Sequence, residues 1–109
     1  ENFYSGIYVR DESEPFLKKN ICSQNNPAGI YFDEGSSGTA IGNICKNNLW
    51  SGIAVRGEDT NPKILENRCV DNGAWGITYW YGAKPDVLKD NITEKNFQGG
   101  LKIRAKIDQ

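Results

Sequence analysis

The 109-residue chain contains no histidine and no methionine. Without histidine there is no imidazole to activate a serine or cysteine, which removes the commonest routes to nucleophilic catalysis. The three cysteines make no CxxC pair, so no metal site and no cofactor are expected. Three is also an odd number, so they cannot all pair internally, and they leave the redox compartment open. No apolar run approaches the ~20 residues of a membrane helix, and no signal-peptide pattern is present, so no membrane span is expected. Thirteen basic residues face 14 acidic ones, a net charge of −1. That balance argues against a nucleic-acid partner. With no initiator methionine and incomplete repeats at both termini, residues 1–109 are expected to form one segment of a longer protein or of an oligomer.

Glycine, by contrast, recurs in a fixed frame. Gly6, Gly29, Gly52, Gly76 and Gly100 are separated by 23, 23, 24 and 24 residues. Each opens a short run of strand character: GIYVR, GIYFD, GIAVR, GITYW and GLKIR. Two asparagine series keep step, Asn20, Asn43, Asn67, Asn91 and Asn2, Asn25, Asn48, Asn72, Asn96. A period of this size held over the whole chain indicates a solenoid, in which each coil buries itself only against its neighbours.

Within each coil the apolar period is 2, not 3.6. Ile7 and Val9 point one way and Tyr8 and Arg10 the other. The inward columns read Ile7, Ile30, Ile53, Ile77, Leu101 and Val9, Phe32, Val55, Tyr79, Ile103. Leu17, Ala40, Ile64 and Leu88 form another, and Cys22, Cys45, Cys69 and Thr93 a fourth. These cysteines are expected to be reduced, buried thiols. Each coil offers about three short strands and no stretch long enough for a good helix. In-register stacking gives parallel sheets at about 4.8 Å per rung: an all-β parallel β-helix of about four coils, for which the right hand is expected.

The asparagines are expected to turn the coil corners in the left-handed backbone region and to join successive rungs through their amides. The glycosylation pattern Asn91-Ile92-Thr93 lies on this ladder and is read as structural. Ladder Asn to the next Gly is nine residues in every coil, while Gly to Asn is 14, 14, 15 and 15. All length variation therefore falls in the loop after the GIxV strand, and in a solenoid such a face often binds.

Repeats of the form GIxV…P-x-I-x-x-N, clearest in GIAVRGEDTNPKILENRCVDNGAW (52–75), resemble the right-handed parallel β-helix repeat family. That family includes pectate-lyase-like proteins, carbohydrate-binding and sugar-hydrolase domains, and the β-helix region of some F-box proteins. In its enzymes, the resemblance implies a substrate groove on the outer face of the GIxV sheet and its adjoining loops.

On that face one outward column is Tyr8, Tyr31, Ala54, Thr78, Lys102 and the next is Arg10, Asp33, Arg56, Trp80, Arg104. Aromatic rings stack on sugar faces and charged groups meet hydroxyls or uronates, so Tyr8, Arg10, Tyr31, Asp33, Arg56, Trp80 and Tyr81 are the candidate ligand contacts. Alternating charge on neighbouring rungs also fits a simple solvated ladder. Trp50 and Trp75 are read as wedges at another corner.

A glycosidase needs two carboxylates about 5 to 9.5 Å apart with one pKa raised. Asp33, Glu34, Glu58 and Asp59 are expected in hydrophilic loops that leave carboxyl groups unshifted, so no catalytic residue is assigned. Ile21, Ile44 and Ile92 form an outward apolar row broken by Arg68, a candidate protein interface, and the open end rungs offer edges for self-association. The expected role is a non-catalytic module that presents a long surface to a polysaccharide or a protein. A fragment of a polysaccharide lyase or glycoside hydrolase, and a purely structural scaffold, are the alternatives.

Overall fold

The computed structural model describes residues 5–103. Asn2 and Arg104, assigned above to a ladder and an outward column, lie outside that range.

Alternation sets the strands. The first coil supplies β1 (Ile7–Val9), β2 (Phe16–Lys18) and β3 (Ile21–Ser23), and the second β4 (Ala28–Phe32), β5 (Thr39–Ile41) and β6 (Ile44–Lys46). The third coil supplies β7 (Ser51–Arg56), β8 (Lys63–Leu65) and β9 (Arg68–Val70). The fourth supplies β10 (Trp75–Trp80), β11 (Val87–Lys89) and β12 (Ile92–Glu94), and β13 (Gly99–Ile103) opens a fifth. Equivalent strands pair in parallel into three sheets, ordered β1-β4-β7-β10-β13, β2-β5-β8-β11 and β3-β6-β9-β12. The register follows the sequence columns: Ile7 lies against Ile30, Ile30 against Ile53, Ile53 against Ile77, and Ile77 against Leu101.

The inward columns make one continuous core. Ile30, Phe32, Ala40, Cys45, Ile53, Val55, Ile64, Cys69 and Tyr79 are fully buried. Each large aliphatic side chain so placed contributes about 1.5 to 3 kcal/mol relative to exposure. Cys22, Cys45 and Cys69 stand beside one another in the third sheet, unbridged and buried. The core is narrow where the coil turns into the first sheet. A Cβ on Gly52 would lie 2.8 Å from Cys69 Cβ and 2.8 Å from the Gly76 carbonyl oxygen, so only glycine fits there.

The corners depart from the expectation. It is not the ladder asparagine that takes the left-handed backbone but the residue just before it. Lys19, Gly42, Glu66 and Asp90 precede the first ladder, and Gln24, Asn47, Asp71 and Lys95 the second, all with φ between 52° and 69°. The asparagines keep ordinary backbone angles and work through their side chains. The N–H and Nδ2 of Asn20 both donate to Asn43 Oδ1, at 2.8 and 3.0 Å. The same fork runs from Asn43 to Asn67 and from Asn67 to Asn91. In the second ladder it runs from Asn25 to Asn48, Asn72 and Asn96. The spare amide hydrogen donates backwards to a strand carbonyl, as from Asn48 Nδ2 to Cys22 O at 3.1 Å. Each buried amide thereby meets its hydrogen-bonding needs within the stack.

Candidate functional site

The outer face of the first sheet is partly a second core. Ala54 and Thr78 occupy outward positions, yet they are 0% and 1% exposed. Rings cover them. Tyr31 pairs with Ala54, and Ala54 with Thr78, across β4, β7 and β10. Trp50 leans in just ahead of β7, and Trp80 from the far end of β10. The two indoles meet edge to face with centroids 5.7 Å apart. Tyr31 touches both, at 6.4 and 6.5 Å, and Tyr8 joins Tyr31 at 5.4 Å. Beneath them Ser51 Oγ and Thr78 Oγ1 share a hydrogen bond of 2.9 Å. Edge-to-face contacts of this kind add about 0.5 to 1.5 kcal/mol each beyond area burial.

Trp50 is therefore a member of this cluster and not a wedge at a distant corner. Period-2 alternation tells which side a residue faces, but not how far a large ring leans over small neighbours. The signal was available in Ser51, Ala54 and Thr78, whose small side chains leave a trough that only neighbouring rings fill. Trp75 does sit apart from the cluster, packed where a Cβ on Gly99 would meet its ring at 2.6 Å, with Lys102 Nζ 5.8 Å from its centroid.

The charged groups are tied to the rings. Asp33 is only 5% exposed. Its Oδ2 accepts from the Tyr8 hydroxyl at 3.0 Å and its Oδ1 from the Glu34 N–H at 2.8 Å. Arg56 Nη1 lies 3.4 Å from both Asp33 oxygens. The same guanidinium lies 5.1 Å from the Trp80 ring centroid and 4.9 Å from that of Tyr81, within cation–π range. Arg10 lies 5.7 Å from the Tyr8 centroid and pairs with Asp11 at 3.4 Å. The structure thus brings all seven candidate contacts onto one surface. Asp33 is a buried clamp there, and not the loop carboxylate it was expected to be.

Burial pushes the Tyr31 phenol up to about 12, with the Asp33 charge adding to it. The Tyr8 phenol is raised first by burial, then by its hydrogen bond to Asp33 and then by the Asp33 charge. Glu34 is also raised, first through its hydrogen bond with Asp11, which corrects the expectation of an unshifted carboxyl at that residue. Beyond the rings, the loops after β1, β4 and β7 frame an open cleft of about 670 Å³ with Tyr81 on its rim. Among the described residues, no group of three or more His, Cys, Asp or Glu is placed to hold a metal ion.

The isoleucine row lies on the third sheet, where Ile21 pairs with Ile44, Ile44 with Arg68, and Arg68 with Ile92. Ile21 and Ile92 are exposed and Ile44 half-buried. No helix of the described residues is long and apolar enough to cross a membrane.

Three parallel sheets wound as one coil, with a ring-covered outer face, define a β-solenoid repeat module. The chain belongs to the family described as right handed beta helix region, whose model matches residues 1–106. No curated protein and no solved structure matches the chain.

Proposed function

We propose that the outer face of the first sheet is a saccharide-binding platform and that the chain acts as a binding module. The observation that carries this reading is the ring cluster itself. Tyr8, Tyr31, Trp50 and Trp80 touch in sequence across the sheet, with Tyr8 48% and Tyr81 46% exposed at its margin. Fixed rings with accessible faces suit the apolar faces of a sugar chain, at little conformational cost on binding. Catalysis is disfavoured by the chemistry present. Asp33, the one buried carboxylate among the described residues, already accepts three hydrogen-bond donors.

Tryptophan fluorescence titrated with neutral oligosaccharides tests the platform. Saturable quenching that Trp80→Ala weakens about tenfold or more supports it, in line with a buried aromatic anchor. A panel of neutral, basic and acidic oligosaccharides that leaves the fluorescence unchanged would refute it. New reducing ends in the same mixtures would instead favour an enzyme fragment.

Protein binding on the third sheet is the second reading, favoured by the exposed Ile21 and Ile92 together with Leu49 and Phe97. Its sensitivity would move to Ile21→Asp and Ile92→Asp, which leave the ring cluster untouched.

A further inference from the structure

The two arginines that would serve an acidic polymer are already engaged. Arg56 is bonded to Asp33 and held over Trp80 and Tyr81, and Arg10 is paired with Asp11 over Tyr8. Reaching a uronate would mean giving up these contacts. The cleft beside the platform carries the opposite sign. Six carboxylates and one guanidinium line it, and Glu12, Glu14, Glu34, Glu58 and Asp59 are exposed. Stacked backbone holds these loops in place: Glu12 N–H donates to Glu34 O at 3.1 Å, Gly35 N–H to Thr60 Oγ1 at 3.0 Å, and Asn61 N–H to Ser36 O at 3.0 Å. The carboxylates are therefore arrayed on a shelf one rung apart and not spread along mobile loops. Tyr81 joins this shelf to the rings, since it lines the cleft and lies against the same guanidinium as Trp80.

We infer that the platform selects amine-bearing sugar chains over acidic ones, with the rings taking the sugar faces and the carboxylate shelf taking the ammonium groups. The inference rests on the platform reading and specifies its ligand class. Polyuronates, which the isolated sequence left open, are repelled by the shelf, and among the described residues the guanidiniums beside it, Arg10 and Arg56, are each already paired with a carboxylate. An array of fixed negative charge in a cleft raises the local concentration of a cationic chain, and salt screens that attraction over about 10 Å at 0.1 M.

Calorimetry on the intact chain at pH 6 compares three probes: glucosamine oligomers, their N-acetylated counterparts and oligogalacturonides. The first two share a sugar backbone and differ at the 2-position, an ammonium group against a neutral acetamide, and the salt dependence isolates the charge. Glucosamine oligomers are expected to bind about tenfold more tightly than the N-acetylated ones at low salt, with the gap closing to roughly threefold or less in 0.5 M salt. Oligogalacturonides are expected to bind most weakly. The triple change Glu34→Gln, Glu58→Gln, Asp59→Asn is expected to erase the preference, and Tyr81→Ala to weaken both neutral and amine-bearing chains. Equal affinity for the first two probes, or tighter uronate binding, overturns the selectivity while the platform stands. Oligolysine that displaces glucosamine chains regardless of Tyr81→Ala overturns it too, since the shelf would then be a general cation patch. Silence from all three sugars removes the platform and this inference together.

Discussion

Asn43 Nδ2 donates to Asn67 Oδ1 at 2.9 Å and to the Leu17 carbonyl at 3.0 Å, so one amide holds three consecutive coils. Its Oδ1 meanwhile receives the N–H and Nδ2 of Asn20. Replacing it by leucine strands a backbone N–H and a carbonyl in a region where Asn43 is fully buried. Asn43→Leu is expected to lower stability by about 3 kcal/mol, at about 1 to 3 kcal/mol for each unmet buried group. Asn91→Leu, nearer the end of the stack, should cost less. Urea denaturation of both variants checks the order.

Tyr79 stands in the inward column with its hydroxyl buried and unpartnered. Tyr79→Phe removes that oxygen and keeps the ring. It is expected to raise stability by about 1 kcal/mol, the order of cost of an unmet buried polar group. A drop in the urea midpoint would show that the hydroxyl has a partner after all.

The thiols are expected to be inert in the folded chain. Hydrogen bonding with Cys45 raises the Cys22 thiol, and burial adds to it. At Cys45 the Cys22 thiol acts downward, but Cys69 and burial outweigh it and the net shift is upward. Thiolate is the reacting species, so native labelling should stay slow even at pH 9, where a free thiol with pKa about 8.5 is mostly ionised. Labelling of all three should become fast only in denaturant. Fast native labelling would place the column outside the core.

Tyrosine ionisation gives a pH prediction with a definite sign. Tyr31 titrates near 12 in the folded chain against about 10 unfolded, because burial and Asp33 disfavour its charged form. Below pH 10 both states hold the phenol neutral and the full stability is present. As pH rises from 10 towards 12 the unfolded chain ionises first, and stability falls. Ultraviolet titration should show a late tyrosine step, and urea midpoints should decline over the same window. Tyr31→Phe should diminish that late step and lessen the decline, leaving the part due to Tyr79, whose phenol burial also raises.

Periodicity made most of the architecture readable before any coordinates. The Gly, Ile and Cys columns pair in the structure in the frame that the spacing requires, because each coil sees only its neighbours and a one-residue slip would turn every apolar side chain outward. The amide bridges between rungs followed from the stacking, but the corners were misread: the left-handed backbone falls on the residue before each ladder asparagine, whose identity varies from coil to coil and leaves no repeating signal. The outer face was half legible. Tyr8, Tyr31 and Trp80 follow from alternation, whereas Trp50 joins them by leaning across Ala54 and Thr78 from outside the repeat's regular positions. The state of Asp33 was not legible, because its burial depends on Tyr8 and Arg56 arriving from different coils.

The asparagine ladder has a grain. At each joint of the first ladder the Oδ1 is filled from the coil before it and the Asn N–H is spent on the coil after it, from Asn20 through Asn43 and Asn67 to Asn91. A coil is thus a unit with a socket on one side and a plug on the other, and all units of a ladder share the same fitting. Whole turns can be duplicated or deleted in the gene without redesigning the joints, provided that the cut respects the frame and the chain direction. The outer face of the first sheet would then grow or shrink one rung at a time, so that its length is set by repeat number alone.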